Sequence, residues 1–203
     1  RHPELELPCP VEPYEHEVVE ALYEAPNREI WAGMLSGRVL RVRDKKIIDD
    51  TIRRELAGTQ VTAFARDHEG NMWLGTGGKG VFRLKGNELK QISAAEGLAD
   101  NLVTSIFRDS LGNMWFATFD GISIGRRDGT IKTIKKKDGL IGVRVRNIYE
   151  CGNRVLYGEE GPPRILVAAN GGITILDRQN HRIREPRTAL EKGLLNIDVT
   201  CVH

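Results

Sequence analysis

Five histidines, three cysteines and one glycine-rich run are the residues of this chain whose types invite a chemical role. His2, His16, His68, His181 and His203 lie far apart, with no His-x-x-x-His pair and no neighbouring carboxylate at metal-site spacing, so no metal centre is expected. Cys9, Cys151 and Cys201 are odd in number and match no ligand signature. A buried free thiol is the ordinary state for Cys201, with a Cys151 to Cys201 bridge as the alternative. Gly75-Thr76-Gly77-Gly78-Lys79-Gly80 has the composition of a phosphate cradle. A phosphate loop, however, opens a helix whose N-terminus faces the anion, and this run joins two strand-like segments, so it reads as a turn. Ser36, Ser93, Ser105, Ser110 and Ser123 occupy strand or turn positions outside any nucleophile elbow. The chain therefore reads as non-catalytic, with no metal and no cofactor.

Two stretches remain as candidates for binding. Residues 126 to 146 carry Arg126, Arg127, Lys132, Lys135, Lys136, Lys137, Arg144 and Arg146, which could attract an anionic ligand or partner. Lys135-Lys136-Lys137 also fits a solvated strand edge, and that reading is the better one. The second stretch, Gly158-Glu159-Glu160-Gly161-Pro162-Pro163, belongs to an insertion in an otherwise regular pattern. Insertions in repeat proteins emerge as loops on one face, often the binding face, which makes Arg154, Tyr157, Glu159 and Glu160 the candidate ligand contacts. An extended hairpin accounts for the insertion equally well. Formal net charge is +2, so whole-chain charge argues for no nucleic-acid partner.

The pattern that must position these residues has a period of 42. Val61-Thr62-Ala63-Phe64, Val103-Thr104-Ser105-Ile106 and Val145-Arg146-Asn147-Ile148 begin 42 residues apart, and Val19-Glu20-Ala21-Leu22 precedes them at the same interval. Val199-Thr200-Cys201-Val202 follows after 54. Trp31, Trp73 and Trp115 each come 12 residues after their Val, and Leu166 takes that place in the fourth unit after 21. Gly33, Gly75, Ala117 and Ala168 come two residues later, on the same strand face because side chains alternate. Asp67-His68-Glu69-Gly70-Asn71 and Asp109-Ser110-Leu111-Gly112-Asn113 are hairpin turns in which Asp accepts from nearby amides. Gly97-Leu98, Gly139-Leu140 and Gly193-Leu194 close each unit six residues before the next Val.

Between those turns the apolar residues alternate with the period of strands. The second unit predicts strands at 61–66, 72–75, 81–84 and 88–92, and the third at 103–108, 114–118, 122–125 and 131–134. Helical signals are weak, at 51–56 and at 94–97, the latter a turn. A four-stranded unit of this length is the size of a propeller blade, whereas ankyrin, tetratricopeptide and HEAT arrays need amphipathic helices and leucine-rich repeats are shorter. A β-sandwich gives no reason for a Trp to recur at one offset. The expected fold is all-β: a β-propeller of four-stranded antiparallel blades at 19–60, 61–102, 103–144 and 145–198. Residues 199–203 would start another blade and 1–18 form an N-terminal segment or the outer strand of a preceding one. Each Trp is expected to pack over the small Gly or Ala position of a neighbouring blade.

About four blades and one further strand predict a piece of a larger propeller, as do the start at Arg1 and the stop in mid-repeat at His203. A closed four-bladed ring, or a homodimer of half-rings that completes one, are the alternatives. No segment has the apolar h-region of a signal peptide or the length to cross a bilayer.

These motifs resemble the two-component regulator propeller repeat, best in Met72-Trp73-Leu74-Gly75-Thr76 and Met114-Trp115-Phe116-Ala117-Thr118 with the Asp-x-x-Gly-Asn turn before each. The first unit departs from the pattern with Ala25-Pro26-Asn27-Arg28-Glu29, and the fourth lacks both Asp and Trp. The resemblance implies the extracytoplasmic or periplasmic sensor region of a bacterial two-component receptor. Its partner would be a small-molecule or glycan ligand, or a protein, and contact with the membrane would come only through flanking regions. Gly112-Asn113-Met114-Trp115-Phe116 and Ile124-Gly125-Arg126 are also similar to repeats of streptogramin lyase type, which implies a propeller enzyme as the alternative, beside a structural interaction scaffold.

Overall fold

A computed structural model of the chain describes residues 17–51, 54–152, 160–179 and 181–183. Their fifteen strands form four antiparallel sheets taken in chain order. The first contains β1 (Val19–Glu24), β2 (Ile30–Met34), β3 (Val39–Arg43) and β4 (Lys46–Thr51). The second contains β5 (Val61–Arg66), β6 (Met72–Thr76), β7 (Val81–Lys85) and β8 (Glu88–Ile92). The third contains β9 (Val103–Arg108), β10 (Met114–Thr118), β11 (Gly121–Gly125) and β12 (Ile131–Ile134). In the fourth, β13 (Val145–Cys151), β14 (Arg164–Ala169) and β15 (Gly172–Asp177) are described. Every sheet is a meander of neighbouring strands, as propeller blades are. The strands of the second and third units fall within a residue of their expected ends. The weak helical signal at 94–97 becomes one turn of 3-10 helix, Ala94–Glu96, capped by Ser93.

The core lies between sheets. Trp31, Val39 and Leu56 of the first unit meet Val61, Phe64, Leu74 and Phe82 of the second. Trp73, Val81 and Leu98 meet Val103, Ile106, Met114 and Phe116. Trp115, Ile122 and Leu140 meet Val145, Ile148, Ile165 and Val167. Each blade thus buries one face on the next, and the initiating Val61, Val103 and Val145 are fully buried. On the first sheet Val19, their counterpart, is 49% exposed, and Leu22, the counterpart of Phe64, is 70% exposed.

The Trp and small positions divide this contact differently from the expectation. A Cβ on Gly33 would stand 2.6 Å from Val61 Cγ1, and one on Gly75 would stand 2.9 Å from Val103 Cγ1. The small position therefore seats the initiating Val of the next blade, because two backbones approach too closely for a side chain. Trp31 instead packs edge-on against Phe64 at 6.2 Å, and Trp73 packs at a tilt of 40° against Phe116 at 5.3 Å.

The threonine after the initiating Val has its own task. The ladder between β5 and β6 shifts register between Val61 and Ala63, which frees Thr62 from pairing. Thr62 Oγ1 then donates to Val103 O at 2.6 Å, and Thr104 Oγ1 donates to Val145 O at 2.6 Å. The Gly-Leu turns dock forward as well: Leu98 and Leu140 are buried, and the amides of Ala99 and Ile141 donate to Ser123 Oγ and Thr174 Oγ1.

Candidate functional site

Antiparallel strands reverse at each connection, so the β5–β6, β7–β8, β9–β10 and β11–β12 hairpins all turn at one end of the stack. The flanks of the insertion between β13 and β14, the paired Cys151 and Arg164, lie at that same end. Of the four candidate contacts there, Glu160 is exposed, while Arg154, Tyr157 and Glu159 lie outside the described residues. Beside the insertion, Glu150 accepts from Ser110 N at 2.7 Å, from Ser110 Oγ at 2.8 Å and from Arg178 Nη1 at 3.0 Å. This ties the third sheet's turn to the fourth sheet. Cys151 is buried with its thiol free, and burial pushes its pKa up, so it is a poor nucleophile or metal ligand. Cys201 lies outside the described residues.

The Asp-x-x-Gly-Asn-x-Trp motif is a clasp. Asp67 is 5% exposed, and its Oδ1 accepts from the amides of Glu69 at 3.0 Å and Asn71 at 2.9 Å. Its Oδ2 accepts from Asn71 Nδ2 at 2.9 Å, Trp73 Nε1 at 3.0 Å and Arg83 Nε at 3.1 Å. Burial pushes this carboxyl up, but the hydrogen bonds from Asn71 and Trp73 and the Arg83 charge outweigh it and hold the pKa below its ordinary value. Asp109 repeats the clasp with Asn113 and Trp115, each at 2.9 Å from Oδ2. In the first blade Glu29 takes the role, accepting from Arg41 at 2.5 Å and Arg43 at 2.6 Å. Arg41 lies 4.7 Å over Trp31, and Arg83 lies 5.7 Å over Trp73. On the third sheet Ile124 stands opposite Trp115 in the place of these arginines.

A cleft of about 180 Å³ opens beside the second clasp, between the second and third sheets. Its apolar wall contains Trp73, Ile92, Met114, Phe116 and Ile131, and its rim contains Asp67, Glu69, Arg83, Lys90, Arg126 and Arg127. The preceding junction is built from the same repeat positions but has a different shape. There Leu84 lines both a hollow of about 10 Å³ and a separate groove of about 160 Å³. Leu84 pairs with Met72 on the second sheet, and Gly125 pairs with Met114 on the third. The leucine that divides the first junction is thus a glycine at the second. Charge changes at the same time: Arg41 faces Asp49 across its ladder, whereas Arg83 faces Lys90.

The basic run from 126 to 146 does not act as one patch. Arg126 and Arg127 reach the cleft, while Lys135 belongs to the opposite end of the stack, where it pairs with Asp120 at 2.6 Å. Arg144 lies 5.3 Å over Phe119. His68, on the rim, is exposed, and the glycine-rich run at 75–80 is the end of β6 and its connection to β7. Sequence reasoning gave no site role to Arg83 or Lys90, and quoted Gly125 only within the Ile124-Gly125-Arg126 motif. A comparison of the units would have set Gly125 against Leu84 only after allowing for the one-residue shorter path from β10 to β11, since the 42-residue spacing sets Arg126 there.

Stacked four-stranded meanders joined by Thr, Gly and Trp contacts define a β-propeller segment, with a cleft at one blade junction. The sequence matches the model of the two-component regulator propeller family over two stretches, residues 55–78 and 97–120. The fold is similar to that of the extracellular domain assigned to the hybrid two-component system BT3049 of B. thetaiotaomicron, at 28% identity and a TM-score of 0.70. That similarity covers 82% of this chain and 22% of that domain, so the chain spans about a fifth of its relative's length. Virginiamycin B lyase of Staphylococcus aureus shares the fold alone, at 13% identity and a TM-score of 0.62, over 84% of this chain and 56% of the lyase. No curated protein matches the sequence.

Proposed function

We propose that this chain is part of the ligand-sensing propeller of a bacterial two-component receptor, exposed on the extracytoplasmic side of the membrane, and that it carries out no chemical step. The observation that supports this reading is the 28% identity to an extracellular sensor domain across most of the chain, together with two stretches that match the regulator repeat. Physical form is consistent with the role. Blades locked by buried Val, Thr hydrogen bonds and Asp clasps make a rigid support, and a ligand that favours one arrangement of such a support shifts the receptor's population.

The test uses the intact receptor in its native cells, with its target promoter fused to a reporter. A compound that induces the reporter should bind the purified chain and be recovered chemically unchanged, and the segment should be digested by protease added outside the inner membrane. Conversion of the inducer by the chain, or protection of the segment from that protease, would refute the reading.

A further inference from the structure

We propose that the cleft between the second and third sheets binds a small organic anion: one carboxylate-like group on an apolar body about the size of a single ring. This rests on the geometry of the junction and not on the sensory reading, so the two can fail separately.

Three changes between equivalent blade junctions coincide here. First, Gly125 leaves open the volume that Leu84 divides at the preceding junction, and the result is one cleft of about 180 Å³. Its size suits a fragment rather than a drug-sized ligand or a macromolecule. Second, Lys90 replaces Asp49 across the ladder from the arginine, which reverses one charge. Third, the β11–β12 hairpin brings Arg126 and Arg127 to the rim, where the β7–β8 hairpin has Lys85 and Gly86 in the equivalent places, so one cation is added.

The two carboxylates on the rim do not neutralise these cations. Asp67 is engaged by Asn71, Trp73 and Arg83, and Glu69 by Arg83 at 2.8 Å. Asp128, nearby in the hairpin, is engaged by Thr130 and lies near Arg126. Lys90, Arg126 and Arg127 are therefore left to act on an incoming anion, with guanidinium geometry that suits a carboxylate. Half-buried Ile92 and Ile131, one from each sheet and backed by the buried Met114 and Phe116, offer an apolar surface to the body of such a ligand. An anion lacking that body, or a ring lacking the charge, would use only half of the site.

The experiment titrates the full chain with sodium phenylacetate, with phenylacetamide as the neutral analogue and acetate as the charge alone, while the three indole N–H signals are followed by NMR. The Trp73 signal is expected to move and those of Trp31 and Trp115 to stay. A dissociation constant of about 1 mM fits a ligand of this size. Both controls should bind at least about tenfold more weakly, since each lacks one of the two interactions. The Gly125→Leu variant should lose binding through steric filling, and the exposed Lys90→Glu variant should weaken it several-fold while remaining folded. Equal binding of phenylacetamide, a Trp73 signal that does not respond, or unchanged binding in Lys90→Glu would overturn the proposal.

Discussion

Replacing Asp67 by Asn preserves the shape of the clasp and removes only its charge and one acceptor. At every position around the carboxylate the partner is a donor: the Glu69 and Asn71 amides at Oδ1, and Asn71 Nδ2, Trp73 Nε1 and Arg83 Nε at Oδ2. An asparagine amide must therefore point its NH₂ at donors whichever way it is turned. Two or three buried hydrogen bonds are lost, some of them charge-assisted, so the cost should be about 3 kcal/mol. Urea unfolding of the full chain followed by tryptophan fluorescence measures it, and Trp73→Phe completes a double-mutant cycle. With the NH₂ in the Oδ2 place the indole N–H has nothing to gain from the substituted amide, and Trp73→Phe should then cost about 1 kcal/mol less in the Asp67→Asn background than alone. The pH dependence has a definite sign. A carboxyl held below its ordinary value of 3.8 adds stability that is complete above that pH and is lost as pH falls through the folded-state value. Asp67→Asn should remove that part of the acid lability. A cost under about 1 kcal/mol, with additive effects of the two substitutions, would refute the clasp as a determinant of blade stability.

Gly33→Ala places a methyl group 2.6 Å from Val61 Cγ1 and should destabilise by about 1–3 kcal/mol, and Val61→Ala should make the pair cost less than the sum of its parts when measured by denaturation. His181 is buried edge-on to Trp115, and neither ring nitrogen has a hydrogen-bond partner among the described residues. Burial, aided by the Lys132 and Arg126 charges, lowers its pKa from 6.5, so the unfolded chain binds the proton more readily and stability falls as pH drops below about 6.5. His181→Phe should keep the ring contact and flatten thermal stability between pH 7 and 5, a window about the ordinary histidine value; an unchanged pH profile would exclude His181 as its source.

Legibility differed between fold and site for a physical reason. The 42-residue spacing of Val, Trp and Gly marks positions that meet the same neighbour in every blade, so the demands of packing are written repeatedly and can be read without coordinates. Even so, the Trp and Gly roles needed the structure. Both lie on one strand face, and alternation alone does not say that Gly33 receives Val61 while Trp31 receives Phe64. Among the basic residues, Arg126 and Lys135 look alike along the chain, yet strand reversal sends one to the cleft and the other to the far end.

By itself the sequence determined the blade and its strands, the turns that bound them and the likeness to regulator propeller repeats, because these depend on periodicity, turn chemistry and short motifs local to each unit. Only the tertiary structure decided where a ligand could enter. The cleft arises where one blade lacks a side chain that another blade has, and Gly125 is informative only when it stands opposite Met114, beside Lys90 and Arg83 of the preceding sheet. A void and the charges around it belong to two surfaces at once, and a linear sequence records each surface separately.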